Sequence, residues 1–265
     1  MKAKYVILFF TLLGLTVTAA AQEQIAIPLS NPGEPGQFNI SVVRGAINVS
    51  GHDGNEVIIR YDNGEERREE PDEVRNGLRR ITNNAAGFEA WENNNTVEVS
   101  SVTPTKNIKF DVLVPRNFSL KLSLVNGDDM MIENVEGDME INHVNGDVVL
   151  NNVSGSAVVN TVNGNITASF QSIARDKPMA FSNVNGDISI TLPSNANLTA
   201  KMWSEWGEVY TDFDMEMRQE EGSRVNSGSG TYKVSVNNWI NAEINGGGPE
   251  YLFKSLRGDI YIRKG

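Results

Sequence analysis

Residues 135–170 read VEGDMEINHVNGDVVLNNVSGSAVVNTVNGNITASF, four consecutive nine-residue units beginning at Val135, Val144, Val153 and Val162. Each unit has glycine third, at Gly137, Gly146, Gly155 and Gly164, and apolar residues fifth and seventh: Met139/Ile141, Val148/Leu150, Ala157/Val159 and Ile166/Ala168. Apolar residues two apart mark a strand with one buried face, because successive side chains on a strand point to opposite sides. The glycine ahead of them supplies a turn, where a positive φ would cost other residues energy. Each unit is therefore a turn followed by a short strand, with Val148, Leu150 and Val159 in the core. The β-branched valine before each turn is expected to point inward too and close the corner of the core.

The pattern extends both ways along the chain. Val184-Asn185-Gly186 is followed by the core pair Ile188/Ile190, Gly258 by Ile260/Ile262, Gly45 by Ile47/Val49, Gly207 by Val209, and Gly230 by Tyr232/Val234. Val-Asn-Gly recurs at every second turn, so that Asn126 (with Gly127), Asn145, Asn163 and Asn185 are separated by 19, 18 and 22 residues. The longer last step absorbs a loop at Gln171 to Pro178. A near-constant step holding two strands and two unlike turns describes a β-solenoid with about two strands per coil of 18–22 residues. The hairpins of a β-sandwich would space their turns similarly. Repetition of residue identity favours the solenoid, since asparagine tolerates the left-handed region and stacked amides can hydrogen-bond along a coil axis.

The same phase interprets Arg257-Gly258-Asp259, a tripeptide that some extracellular proteins present to receptors. Leu256 to Ile262 has the form of Val144 to Leu150, so Gly258 is the turn glycine of a final coil and Arg257 takes the asparagine position. Every residue of the tripeptide is thereby accounted for as architecture.

With GLRRITNNAAGFEAWENNNTVEVSS (77–101), LVPRNFSLKLSLVNGD (113–128), the Val-Asn-Gly-Asp coils and the ending INGGGPEYLFKSLRGDIYIRKG, the chain resembles an exported bacterial family of candidate adhesins, a domain of unknown function. The resemblance covers nearly all of the chain after the first 21 residues. It implies a β-solenoid fold and a cell-envelope location. The last turn departs from it by carrying Leu256-Arg257 in place of Val-Asn.

The N-terminus has Lys2 and Lys4, an apolar run from Tyr5 to Leu15, and Ala19-Ala20-Ala21 before Gln22. This is the order of a secretory signal peptide over residues 1–21, and the run is shorter than the roughly 20 residues of a spanning helix. The expected mature chain, 22–265, is one domain in the periplasm, at the cell surface or outside the cell, with no transmembrane segment. There is no cysteine, so cohesion rests on packing and hydrogen bonds. Thirty-four acidic against 23 basic residues disfavour nucleic acid, whose phosphates need Lys and Arg. Cell-surface glycan or protein remains open as a partner.

No catalytic, cofactor or metal site is expected. The two histidines, His52 and His143, share no metal-ligand spacing, and His143 falls at a repeat position beside Asn152 and Thr161. Turn residues Asp128, Asp147, Asp187 and Glu208 should form an edge row interrupted by Asn165. Repulsion between neighbours about 5 Å apart is only about 0.8 kcal/mol in water, so the row stands without calcium, whose β-roll sites need denser glycine. A β-helix using two carboxylates on carbohydrate is the enzymatic alternative, but the sequence singles out no pair. Trp203 and Trp206 should lie on opposite faces with one in the core, and Trp91 and Trp239 stand alone in sequence. The charged stretch 62–80 should be a solvated excursion with a helical turn.

Overall fold

The computed structural model describes residues 23–62, 87–103, 105–218 and 239–265, together with the backbone of Val74–Arg75, Leu78–Arg79, Arg224–Ser227 and Thr231–Val234. The expected signal segment 1–21 and most of the charged stretch lie outside the described residues. Within that stretch Val74–Arg75 and Leu78–Arg79 pair as a short antiparallel ladder where a helical turn was expected.

Twenty strands form one continuous, unclosed, mostly parallel sheet that coils into a β-solenoid. A typical coil is Met139–Asn145 on one face and Val148–Gly155 on the other, joined at Gly146. Its strands pair in register with Ala157–Asn163 and Ile166–Ile173 of the next coil, Ile141 opposite Val159 and Leu150 opposite Ala168. Alternation places Val148, Leu150, Val159, Ile188, Ile190, Ile260 and Ile262 in the interior, each with at most 1% exposure. No single coil could bury these residues alone, so stability comes from stacking.

Along the axis the coils do not follow chain order. Gly36–His52, bent at Gly45 to serve both faces, lies between Thr96–Ser101/Ile108–Pro115 on one side and Phe118–Gly127/Met130–Glu133 on the other. The C-terminal pair Glu250–Arg257/Ile260–Lys264 is likewise inserted between Met179–Asn185/Ile188–Leu192 and Leu198–Ser204/Val209–Thr211. The expectation that Gly258 turns the last coil of the stack is therefore corrected: it turns the penultimate one. Antiparallel strands cover the ends. Phe88–Asn93 pairs with Thr96–Ser101, Glu56–Asp62 with Ile108–Pro115, and Ile240–Ile244 with Leu198–Ser204. They pair with backbone edges that would otherwise recruit foreign strands, at Thr96–Ser101, Ile108–Pro115 and Leu198–Ser204.

Two further expectations change. Thr231–Val234 pairs antiparallel with Arg224–Ser227, so the phase read after Gly230 does not continue the coil; Gly230 itself lies outside the described residues. The valines ahead of the Val-Asn-Gly turns face outward, with Val125, Val162 and Val184 exposed by 36–39%. Strict alternation explains this: with Ala157, Val159 and Thr161 inside, Val162 must be outside. At the other turn Asn134 and Asn152 adopt left-handed φ of 56° and 53°, shifting the phase by one residue so that Val135 and Val153 are fully buried.

Candidate interaction surface

Three stacked rows build the corner carrying the Val-Asn-Gly turns. Asn145 donates from Nδ2 to Oδ1 of Asn126 at 2.7 Å, Asn163 to Asn145 at 2.8 Å and Asn185 to Asn163 at 2.8 Å. Arg44 and Arg257 continue the row at its two ends, in register with Asn126 and Asn185. Beneath it, the turn glycines approach one another so closely that a Cβ on Gly164 would stand 2.0 Å from the Gly146 carbonyl oxygen, and one on Gly258 1.8 Å from that of Gly186. Gly127, Gly146 and Gly186 belong to the same stack, while Gly155 lies over Gly137 at the opposite turn.

The third row is acidic, but its members differ from the expected ones. Asp129 joins it in place of Asp128, because one extra residue precedes buried Met130 and displaces Asp128 to an ion pair with Lys109 at 3.0 Å. Each side chain then accepts the backbone N–H of the next coil: Asp129 from Asp147, Asp147 from Asn165, Asn165 from Asp187, Asp187 from Asp259 and Asp259 from Glu208, all at 2.7–2.9 Å. These bonds satisfy turn amides that the ladders leave open. All three residues of Arg257-Gly258-Asp259 thus serve the stack.

The residue three before the turn glycine was missed as a structural class. His143, Thr161, Asn183 and Ser255 form a buried polar column, none more than 5% exposed. Each reaches a backbone carbonyl at the turn: His143 Nε2 lies 3.2 Å from Asp128 O, Thr161 Oγ1 donates to Gly146 O, Asn183 Nδ2 to Gly186 O at 2.7 Å, and Ser255 Oγ to Gly186 O; His143 Nδ1 also lies 3.0 Å from Leu124 O. Buried polar groups persist when so partnered. The signal was in the sequence, as a polar residue three before Gly146, Gly164, Gly186 and Gly258, but polarity alone reads as exposure.

The outward faces mix polar side chains with the row of exposed valines Val125, Val162 and Val184, and aromatic side chains gather at the C-terminal end of the stack. There Trp203 and Trp239 meet with ring centroids 6.0 Å apart, Lys254 lies 5.5 Å from the Trp203 ring, and Lys201 5.3 Å from that of Trp239. Around the corner Trp206 is 74% exposed, and Tyr210 stacks on Tyr261 at 5.1 Å with the Arg263 guanidinium over the Tyr261 ring. The expectation that Trp203 or Trp206 is core is corrected: Met202 takes the buried position and both indoles reach the surface. Trp91 is exposed near the opposite end.

Among the described residues no group of three or more His, Asp or Glu is arranged to hold a metal ion, and no helix is long and apolar enough to cross a membrane. His52 contacts the Glu56 carbonyl at 2.9 Å and lies far in sequence from buried His143. Among the described residues, open depressions of about 220 Å³ beside Pro28 and Glu56 and of about 200 Å³ beside Tyr210 and Tyr261 are present.

No curated protein matches this chain. A crystal structure of a candidate cell adhesion protein from Clostridium sporogenes ATCC 15579 superposes with TM-score 0.50 at 12% identity, over 92% of this chain and 100% of that one. A candidate adhesin from Bacteroides fragilis NCTC 9343 covers 93% of this chain and 98% of its own, at 12% identity and TM-score 0.35. At such identity the first likeness concerns the fold. A family model matches residues 92–239, from the strand capping Thr96–Ser101 to the tryptophan packed on Trp203, and by that match the chain belongs to the Toastrack DUF4097 family.

Proposed function

We propose that the protein is an exported, non-enzymatic module of the cell envelope or cell surface that acts by presenting the flanks of a rigid solenoid to a partner. The observation carrying this reading is the aromatic and cationic cluster of Trp203, Trp239, Lys201 and Lys254, set at one end of the face that carries the Val-Asn-Gly strands. Aromatic side chains that reach the surface are what recognition surfaces concentrate, and ammonium groups held over their faces offer positive charge to a ligand. The histidines and the turn carboxylates are engaged in holding turns together, which supports a scaffold over a catalyst. The names of the solved structures with this fold agree with a role in adhesion.

A glycan array and intact bacterial cells probed with the purified mature chain test this, alongside fractionation of the native host. Saturable binding and recovery of the protein outside the cytoplasm are expected. The alternative, a carbohydrate-active β-helix, would instead release reducing ends from a bound glycan, and loss of that release on changing a carboxylate pair would replace the scaffold reading.

A further inference from the structure

The outward row containing Trp203 continues across the first face of the solenoid. Register places Ser123, Asn142, Asn160, Ser182, Lys254 and Trp203 side by side on successive strands, with Trp239 beyond. The track is thus made of short hydrogen-bonding side chains at the strand spacing of about 4.8 Å, ending in two indoles and two ammonium groups. Lys201 and Lys254 have no acidic partner among the described residues, in a chain of net charge −11 whose exposed Lys121 and Lys177 are each paired, to Glu140 and Asp138.

Resting on the reading of the protein as an interaction module, we propose that this track binds a polyuronate, a polysaccharide with carboxylates on its sugars, laid along the solenoid axis with its end over Trp203 and Trp239. Indole faces match the apolar C–H faces of pyranose rings, and the indole N–H offers a polar handle. Lys201 and Lys254 lie over the rings, so they are held near where sugar carboxylates would arrive and lose little freedom on binding. Ser182, Asn160 and Asn142 offer hydroxyl and amide groups at a repeat that a polymer can follow. An anionic membrane fits less well, since both indoles are half-buried and the track leading from them is polar.

The test uses the mature full-length chain, titrated with oligogalacturonate and with its methyl ester, which keeps the sugar backbone but removes the charge. Tryptophan fluorescence and calorimetry report binding, and melting curves verify folding. The acid should bind with an affinity that falls with salt, and the ester much more weakly. Trp203→Ala and Lys254→Gln should each weaken binding about tenfold, while Trp91→Ala, near the opposite end, leaves it unchanged. Equal binding of acid and ester overturns the proposal, as does wild-type affinity in the well-folded Lys254→Gln chain. So does Trp203-dependent binding to phosphatidylglycerol vesicles without binding to the polyuronate. Glycan binding that survives both variants removes this site and leaves the interaction module standing, whereas failure to bind any glycan or cell removes both.

Discussion

Asp259 donates its backbone N–H to the Asp187 carboxylate at 2.8 Å, although 72 residues separate the two. The bond joins the C-terminal coil to the one before it in the stack, and Leu198–Ser204 and Val209–Thr211 pair with its other side. Deleting residues 251–265 would therefore empty an interior layer, removing buried Tyr251, Phe253, Ile260 and Ile262. We expect the truncated chain to lose cooperative unfolding in urea and to aggregate through the exposed strand edges. Deleting Glu23–Pro28, whose described pairing is with Glu56–Asp62 alone and whose residues are mostly exposed, should leave a cooperative transition at slightly lower urea.

Gly258 has φ of 150°, and any Cβ there collides with the backbone of Gly186. Gly258→Val should lower the melting temperature sharply, since neither the clash nor the conformation can relax without parting two coils. Asp259→Asn retains a side-chain oxygen for the Glu208 N–H, as Asn165 does for Asp187, and should melt near wild type. Neither Asp259→Asn nor wild type is expected to mediate attachment of integrin-bearing cells. Attachment lost in Asp259→Asn at an unchanged melting temperature would show the tripeptide to be a recognition motif.

Leu150 is buried and Val149, its neighbour, faces outward and is half-buried. Leu150→Ala should cost about 2–5 kcal/mol in denaturant melts, as large-to-small core changes do, and Val149→Thr less than about 1 kcal/mol.

Tyr251 pairs in register with Met179 on one side and Ala200 on the other; its hydroxyl is buried without a hydrogen-bond partner, and burial pushes its pKa up to about 12. The unfolded chain releases this proton near pH 10 and the folded chain does not. Stability should therefore be intact below pH 10 and fall between pH 10 and 12 by up to about 1.4 kcal/mol per pH unit from this group. Tyr251→Phe should flatten that part of the alkaline profile while costing little at neutral pH, because no bond is lost. An unchanged slope in urea melts at pH 10–12 would mean that the hydroxyl is solvated or partnered.

From residue 118 to 192 the turns and the core pair behind each glycine can be read along the chain, because each coil repeats an alternation of period two behind a glycine that the neighbouring backbone leaves no room to replace. The valines before the Val-Asn-Gly turns, read as inward, face outward because the same alternation is strict. Leu150 and Ile188 are legible as core for that reason, as is the stacking of Asn145 on Asn163. The order of coils in space was not legible. A parallel coil offers nearly the same backbone edge to any other coil, and no local feature says that Gly36–His52 and Glu250–Lys264 insert between coils distant in sequence. The inward placement of His143, Thr161, Asn183 and Ser255 also escapes a polarity reading, since the turn carbonyls that make their burial tolerable come together only once the coils are stacked. Trp203 and Trp239 meet for a related reason: an antiparallel strand turns back along the end coil. Sequence alone thus determined the repeating unit and its buried face, which depend on local steric and hydrophobic periodicity. Tertiary structure decided the order of the layers, the buried polar column and the aromatic cluster, because each depends on pairing between segments that carry no local record of their partners.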